Sequence, residues 1–463
     1  MPTQSISQIS TTLVVPVSLP ANAKERVHLT TWDVNFIAIR YMQMGHLFRL
    51  KLESPWSMDE IFDRLKRALA EVLVYYYPLA GRFVIEKVKD NDKGVFTYID
   101  CAPRGVELVR ATAKEICVDD ILRPLFVPHF VRNLFPLDRA VNLDGHTVPL
   151  VGIKVTELAD GIFIGCSHNH VVGDGISFTN FLNSFAEVSR GVNPITQPPV
   201  HERWFSDDSP PPIVLPFSKM EDLLVRRKPP VPKVAIFHFT SESIAKLKEK
   251  ANKDTGNNKT ISSFQALSGL VWRCITRARG FPETDLVTCH LTFDNRARLQ
   301  PPCSPNYYGN NLTAIVSYAT VGEILTNDLG WIGELLKKKV VAQTDGPIRE
   351  SVVQWLNNRD KLMMAHSSMF DDHNIFFVGS PKFDLYGCDF GWGKAVAIRS
   401  GKSNNLDGII MAYPGYEGEG SVDLEISLLP VTMSKLLLDD EFMTVISPTS
   451  VKQRQSTIFQ SKL

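Results

Sequence analysis

A histidine and an aspartate four residues apart, His170 and Asp174, are the pair in this chain best suited to chemistry. They lie in residues 167–175, which read SHNHVVGDG and contain the pattern H-x-x-x-D-G. An imidazole changes charge near neutral pH, so His170 can take a proton from an attacking hydroxyl or amine. Gly175 is expected to let the backbone turn into the element that follows. The pattern therefore predicts general-base chemistry at a loop.

The elements that hold this loop can be predicted from hydrophobic spacing. Residues 161–166 form a short apolar run that is typical of a buried strand. In residues 176–188, Phe178, Phe181, Leu182 and Phe185 recur at a helical period. His170 is therefore predicted to lie between the end of a strand and the start of a helix.

The rest of the chain alternates between the two kinds of pattern. Helices are predicted over residues 58–76, with Ser57 or Asp59 as the cap, over 242–251 with Ser241 as the cap, over 262–277 and over 331–342. Strands are predicted over 95–100, 149–158, 234–240 and 286–293. This alternation favours an α/β protein with mixed sheets. A proline-rich stretch, 194–232, divides it into an N-terminal domain (1–193), a linker and a C-terminal domain (233–463).

Composition excludes several functions. Fifty Lys and Arg residues balance fifty Asp and Glu residues, so no basic excess points to nucleic acid. The seven cysteines form no C-x-x-C pair, so no metal site or redox motif is predicted. No apolar stretch is long enough to span a bilayer, so no membrane insertion is expected.

Three further strings accompany the histidine motif. They are YYPLAGR at residues 76–82, DNRARL at 294–299 followed by YGN at 308–310, and DFGWG at 389–393. In this order, and together with H-x-x-x-D-G, they make the chain resemble the BAHD family of plant acyl-CoA-dependent acyltransferases.

The resemblance implies a fold and an activity. The fold would be two chloramphenicol-acetyltransferase-like domains joined by a long crossover linker, in a monomer. The enzyme would transfer an acyl group from acyl-CoA, its co-substrate, to a hydroxyl or amine of a small molecule in plant specialised metabolism. An aromatic group such as benzoyl or hydroxycinnamoyl is the expected donor. His170 would be the general base, in a channel between the domains.

The resemblance also assigns structural roles. Asp174 would point away from the site and pair with Arg296 or Arg298, of which we favour Arg296, while Gly175 would permit the turn. The DFGWG residues would serve folding and the geometry of the CoA domain; these are Asp389, Phe390, Gly391, Trp392 and Gly393. Ser262, Ser263 and Lys259 would lie near the nucleotide end of CoA, whose phosphates need cations or helix N-terminal amides.

One departure from the family pattern keeps other functions open. Residues 378–384 read VGSPKFD, with Pro381 where several hydroxycinnamoyltransferases have a Ser-Trp pair, so the oxyanion donor is left open. With this variant the chain resembles a divergent plant subgroup, some of whose members lost the histidine and turned to lyase chemistry. The alternatives are a lyase or hydrolase acting on an ester or amide conjugate, and a binding protein with a relic site. Because His170 is present, transfer is the favoured interpretation.

The last three residues, Ser461, Lys462 and Leu463, match the peroxisomal address S-K-L. The preceding residues 447–456 are polar and have no strand or helix period, so the tail is expected to project freely. The sequence therefore predicts binding to the peroxisomal import receptor and a peroxisomal location, with the cytoplasm as the alternative.

Overall fold

The computed structural model describes residues 5–50, 56–88, 94–206, 211–217, 231–256, 260–358, 371–402 and 406–447. Within these residues the strands form two six-stranded sheets and one smaller sheet. The first sheet has the order β1 (Ser7–Val14), β6 (Val106–Ala113), β7 (Val151–Leu158), β8 (Gly161–His168), β3 (Met42–Arg49) and β14 (Ala397–Ser400). The second has the order β10 (Lys233–Phe239), β16 (Val422–Leu428), β15 (Ile409–Pro414), β13 (Asn374–Gly379), β11 (Leu286–Asp294) and β12 (Leu312–Thr320). The smaller sheet contains β2 (Arg26–His28), β5 (Val95–Asp100), β4 (Arg82–Lys87) and β9 (Val214–Leu215).

Helices cover the two large sheets. They are α1 (Thr31–Val34), α2 (Met58–Tyr75), α3 (Val118–Leu122), α4 (Gly175–Ser189), α5 (Ser241–Asp254), α6 (Ser263–Arg279), α7 (Val321–Thr326), α8 (Leu329–Ala342), α9 (Asp345–Asn357), α10 (Pro430–Leu436) and α11 (Asp440–Met443). Short 3-10 helices span Tyr77–Ala80, His129–Leu134 and Asn142–His146. No described helix is long and apolar enough to cross a membrane.

Both large sheets mix parallel and antiparallel pairs, as the alternating pattern predicted. In the first sheet β6 and β7 run parallel and the other neighbours are antiparallel. In the second sheet β13 runs parallel to both β11 and β15. The prediction of an α/β fold with mixed sheets is therefore confirmed.

The two faces of the first sheet bury different cores, because side chains alternate along a strand. Phe48 and Ile164 face a large core built with α2 and α4. Leu47 and Phe163 face a smaller core that the 3-10 helix His129–Leu134 and the following Phe135 cover. The segment 129–135 and helix α4 thus lie on opposite faces of the same sheet.

Helix caps show where signals within a few residues were sufficient to predict the start of a helix. Helix α2 begins after Ser57, whose hydroxyl accepts from the amide of Glu60 in a capping box, so Ser57 rather than Asp59 is the cap. Helix α6 begins after Ser262, which caps it by accepting from the amide of Gln265. The prediction of Ser241 as a cap was wrong: Thr240 caps α5, and Ser241 is its first residue.

The C-terminal part of the chain does not build only the second sheet. Strand β14 pairs with β3, so residues 397–400 complete the first sheet at its edge. The described part of the linker packs on the first domain as well: the His201 ring hydrogen bonds to Tyr75 O, and Val214 pairs with Phe96. The predicted boundaries at 193 and 232 therefore describe chain order better than they describe spatial separation.

The DFGWG segment also packs on the first domain. Phe390 is fully buried and meets Phe48 and Phe185 edge to face, at centroid distances of 5.9 and 5.1 Å. The guanidinium of Arg64 lies 5.0 Å from the ring of Trp392. The segment thus joins the core beneath α2 and α4, which agrees with a role in folding, whereas its role in the geometry of the CoA domain stays a prediction.

Tight turns explain the glycines of this segment. Gly391 and Gly393 both have φ near +104°, a conformation that favours glycine. Their amides donate to the same Asp389 carboxylate oxygen, at 2.7 and 2.9 Å. Asp389 therefore organises the turn that carries Phe390 and Trp392 into the core.

Candidate active site

The ends of the two large sheets enclose a central cavity of about 2610 Å³. Its wall is formed by the loop before β3, the loop between β8 and α4, the N-terminus of α6, and residues 378–385. Residues from both halves of the chain therefore face the same space.

His170 lies in this wall, in the loop between β8 and α4, as the sequence predicted. Its ring stacks on Phe36, with centroids 3.8 Å apart and planes 7° from parallel. Its backbone amide donates to Oδ1 of Asn142 at 2.8 Å. The loop and the ring are therefore both held in place.

Asn310 fixes which nitrogen of His170 carries the proton. The Asn310 Nδ2 group donates to Asp33 Oδ1 at 2.8 Å and to the backbone oxygen of His170 at 2.7 Å. Because both partners only accept, Oδ1 of Asn310 must be the atom 3.0 Å from His170 Nδ1. Nδ1 is then the donor, and Nε2 keeps a lone pair. Nε2 has no hydrogen-bond partner among the described residues.

Asp33 anchors this arrangement from behind. The carboxylate is fully buried, and its Oδ1 also accepts from the backbone amide of Asn310 at 3.0 Å. Its Oδ2 accepts from the amide and the hydroxyl of Thr30, at 2.8 and 2.9 Å. Arg203, from the linker, places Nη1 3.5 Å from Asp33 Oδ1, and both side chains are buried. A charged pair therefore supports the amide that orients His170.

Burial lowers the pKa of His170 below 6.5, and the Asp174 carboxylate and Asn310 only partly offset this effect. The imidazole is therefore neutral near pH 7 and can accept a proton at Nε2. Its neighbour His168 has a different environment. It is fully buried, stacks on Phe178 and hydrogen bonds to the Tyr308 hydroxyl at 2.8 Å, and burial lowers its pKa to about 3.

Asp174 points away from His170 and pairs with Arg296. Arg296 Nη2 lies 2.8 Å from one Asp174 oxygen and 3.0 Å from the other. The carboxylate also accepts from the amides of Ser177 and Asn311, at 3.0 and 3.1 Å. Burial alone would lower the pKa of Arg296, but the charges of Asp174 and Asp294 outweigh burial and raise it. Arg298 instead donates to Gln343 O.

Gly175 is needed for a different reason from the one expected. It is the first residue of α4 and is not among the glycines with positive φ. A Cβ atom there would come within 2.9 Å of the Phe383 ring. The constraint is therefore close packing of residues 380–384 against the start of α4, and not the turn.

Ser262 and Ser263 both line the central cavity at the N-terminus of α6. The Ser262 hydroxyl is used by the helix cap, whereas the hydroxyl of Ser263 has no hydrogen bond to a described residue. The free backbone amides in the first turn of α6 are well suited to binding an anion. Lys259 lies outside the described residues, and none of residues 389–393 lines the cavity.

Three residues at the site were not identified as such from the sequence: Asn310, Asp33 and Arg203. Asn310 is in the YGN string, but that string says nothing about its partner. Asp33 closes a capping pattern, T-x-x-D from Thr30, which indicates a helix start and no site. Arg203 is one charged residue in a proline-rich stretch, and no local signal shows that it is buried.

The buried ion pair between Asp174 and Arg296 predicts that Asp174→Asn destabilises the fold. Removing one partner of a buried ion pair typically costs about 3–5 kcal/mol, so the free energy of unfolding in urea should fall by that order. Asp294→Asn is the matched control: Asp294 binds the same guanidinium but is 42% exposed, and its loss should cost much less. An Asp174→Asn protein that unfolds like the wild type but is inactive would make Asp174 a catalytic group.

Comparisons with known proteins agree with this architecture. A sequence model described as the Transferase family matches residues 4–443. An uncharacterised acetyltransferase of Arabidopsis thaliana is 34% identical over 95% of this chain and 98% of its own length. The BAHD acyltransferase DCR of the same plant is 31% identical, over 95% of this chain and 92% of its own.

Two solved structures have the same fold. Vinorine synthase superposes with a TM-score of 0.73 at 18% identity, covering 96% of this chain and all of that one. TRI101 of F. sporotrichioides, complexed with coenzyme A and T-2, has a TM-score of 0.74 at 17% identity, covering 92% of this chain and 99% of that one. With matches over nearly its whole length, the chain belongs to the BAHD family of acyltransferases.

Proposed function

We propose that this protein transfers an acyl group from acyl-CoA to the hydroxyl or amine of a small molecule, with His170 as the general base. One observation carries the proposal: Nε2 of His170 keeps a lone pair at the wall of the central cavity, while Asn310 holds Nδ1. A neutral imidazole in a fixed tautomer is the group that such a reaction needs.

In the proposed reaction the acceptor oxygen or nitrogen attacks the carbonyl carbon of the thioester as Nε2 takes its proton. The tetrahedral intermediate then collapses, breaking the carbon–sulfur bond and releasing the CoA thiolate. The imidazolium returns its proton to the sulfur, which regenerates neutral His170. A thiol with a pKa of about 8.5 leaves readily, so no strong acid is required.

The part of the proposal that concerns the acyl-CoA donor depends on the start of α6. Ser262 and Ser263 bring helix N-terminal amides to the cavity, which suits the phosphates of CoA. TRI101, a solved structure of the same fold, is complexed with coenzyme A. Aromatic side chains in the wall, including Phe36, Phe264 and Phe376, favour an aromatic acyl group such as benzoyl or hydroxycinnamoyl.

The test is to incubate the purified protein with benzoyl-CoA, p-coumaroyl-CoA and acetyl-CoA, each against a panel of alcohols and amines, and to follow free thiol and product mass. Thiol release matched by acylated acceptor supports transfer. Thiol release with free acid alone identifies a hydrolase. Cleavage of an ester or amide conjugate without CoA identifies the lyase or hydrolase alternative and rejects the proposal.

His170→Gln should lower kcat/KM by about 10²–10⁴-fold, the usual cost of losing a general base. His373→Gln is the matched control, because His373 bonds exposed carboxylates away from the cavity and should have no effect. Melting temperatures verify that both variants fold. A folded His170→Gln protein with a near wild-type rate would refute the base assignment.

The pH dependence of kcat/KM should reflect the lowered pKa of the buried His170. Because burial lowers the pKa of His170, kcat/KM should rise with pH along an acid limb whose midpoint lies below 6.5, and should then level off. The unfolded chain regains the ordinary value near 6.5 and takes up the proton first, so this group's contribution to stability falls as pH drops below 6.5. An acid limb centred above 6.5 would contradict the assignment.

Asn310→Ala should lower kcat by about tenfold to a hundredfold, because it removes the side-chain hydrogen bonds to His170 and Asp33, with little change in the KM for the donor. Nitrogen-15 NMR of His170 should show a mixture of tautomers where the wild type carries the proton on Nδ1. Asn306→Ala is the control from the same loop. A changed rate with an unchanged tautomer would show that Asn310 acts only through packing.

We also propose that the protein is peroxisomal. The residues Ser461, Lys462 and Leu463 lie outside the described part of the chain, so the proposal rests on the sequence alone. A fluorescent protein fused to the N-terminus should give puncta that overlap a peroxisomal marker. Deleting the last three residues should make the signal diffuse and leave acyl transfer in vitro unchanged. A diffuse signal from the intact tail would return the protein to the cytoplasm.

A further inference from the structure

We infer that the linker holds the base of the proposed reaction in its active form, with Arg203 as a positioning residue that acts on His170 through Asp33. This inference rests on the proposed acyl transfer and adds to it a residue outside the cavity. The Arg203 side chain is only 5% exposed, and the described residues that line the central cavity do not include it. Any effect of Arg203 on the reaction must therefore pass through the residues that it contacts.

The guanidinium of Arg203 contacts three segments around the histidine. Nη2 donates at 3.0 Å to the backbone oxygen of Val172, two residues after His170. Nη1 lies 3.5 Å from Asp33 Oδ1. A Cβ atom at Gly309 would lie 1.6 Å from Nη1, so the missing side chain there makes room for the guanidinium. One cation thus joins the loop after β8, helix α1 and the loop before β12.

The linker on either side of this cation is fixed to the same segments. Val200 accepts from the backbone amide of Tyr308 and donates to the backbone oxygen of Asn306, each at 2.9 Å. Trp204 stacks on Trp32 of α1, with centroids 4.8 Å apart. The guanidinium is therefore held from both sides at its place beside α1.

The charge of Arg203 balances a carboxylate that acts on the imidazole. Asp33 Oδ1 accepts from the backbone amide and the side-chain amide of Asn310. The oxygen of the same side chain accepts from His170 Nδ1. Burial lowers the pKa of His170, and the charge of Asp33 is among the effects that partly offset burial. A cation beside Asp33 weakens that offset and favours the neutral base.

The other groups that face His170 do not depend on the linker. Two further titratable side chains act on it, those of Asp174 and His168. Arg296 binds the Asp174 carboxylate, and burial keeps His168 neutral. The remaining described contacts come from uncharged side chains, those of Phe36, Asn142 and Asn310. Asp33 is therefore the carboxylate through which the linker can change the basicity of His170.

Titration of His170 tests the inference without turnover. Arg203→Met leaves the charge of Asp33 unbalanced, so the pKa of His170 should rise by about half a unit to one unit. Asp33→Asn leaves the cation unbalanced and should lower the pKa. The double variant has neither charge and should give an intermediate value. The measurement is an NMR titration of full-length protein labelled at histidine, with the His170 signal assigned by its absence from His170→Gln.

The acid limb of kcat/KM should move with these values, upward for Arg203→Met and downward for Asp33→Asn, with little change in the KM for acyl-CoA. Arg203→Lys keeps the charge and should keep the wild-type midpoint. Glu202→Gln is the matched control from the linker. Glu202 is 76% exposed and pairs with Lys24 at the surface, so its loss should change neither the midpoint nor the rate.

Two results would overturn the inference: an unchanged pKa of His170 in folded Arg203→Met protein, or single substitutions that shift this pKa in the same direction. If Arg203→Met does not fold, the double variant decides. It leaves no buried charge unpaired, and its His170 pKa must lie above that of Asp33→Asn.

Failure of the proposed function gives a different result. Shifted pKa values without acyl transfer, or with an acid limb that does not follow them, would reject His170 as the base. The action of Arg203 on His170 would stand in that case, because the NMR titration measures it directly.

Discussion

The buried ion pair between Asp174 and Arg296 is the interaction on which the site depends. It joins the start of α4 to the loop after β11, and both side chains are almost completely buried. The same guanidinium donates to the backbone oxygens of Tyr307 and Gly309, at 3.2 and 3.1 Å. Asn310 follows directly, so the pair sets the loop that orients His170. The aspartate of H-x-x-x-D thus acts on the histidine through the opposite half of the chain.

The hydrogen-bond partner of His170 Nδ1 is the side-chain amide of Asn310 and not a carboxylate, and this difference affects the basicity of His170. A carboxylate on Nδ1 would stabilise the imidazolium and raise the pKa of the histidine. Asn310 orients the ring without adding charge there, while the charge of Asp33 lies one residue further away and is balanced by Arg203. The pKa therefore stays lowered by burial. In the proposed acyl transfer, this neutral form of His170 is the one that can accept the proton of the attacking group.

The elements that could be predicted from the sequence are those that hydrophobic periodicity and helix caps determine within a few residues. The strand before His170, the helix after it and the cap of α2 all follow from patterns within a few residues. The pairing of β14 with β3 and the burial of Arg203 could not be predicted in this way, because the partners are far apart in the chain: Ala397 and Leu47 by 350 residues, and Arg203 and Asp33 by 170. Gly175 shows the same limit: the pattern indicated a glycine, but its reason, Phe383, is distant in sequence.

The topology brings both halves of the chain to the site. Strand β14 and the DFGWG turn place the C-terminal part of the chain on the first domain, and Asn310 hydrogen bonds to His170, so both halves hold this histidine. Family membership therefore identifies the reaction class, acyl transfer, and the contact between Asn310 and His170 shows how the two halves together place this histidine at the cavity.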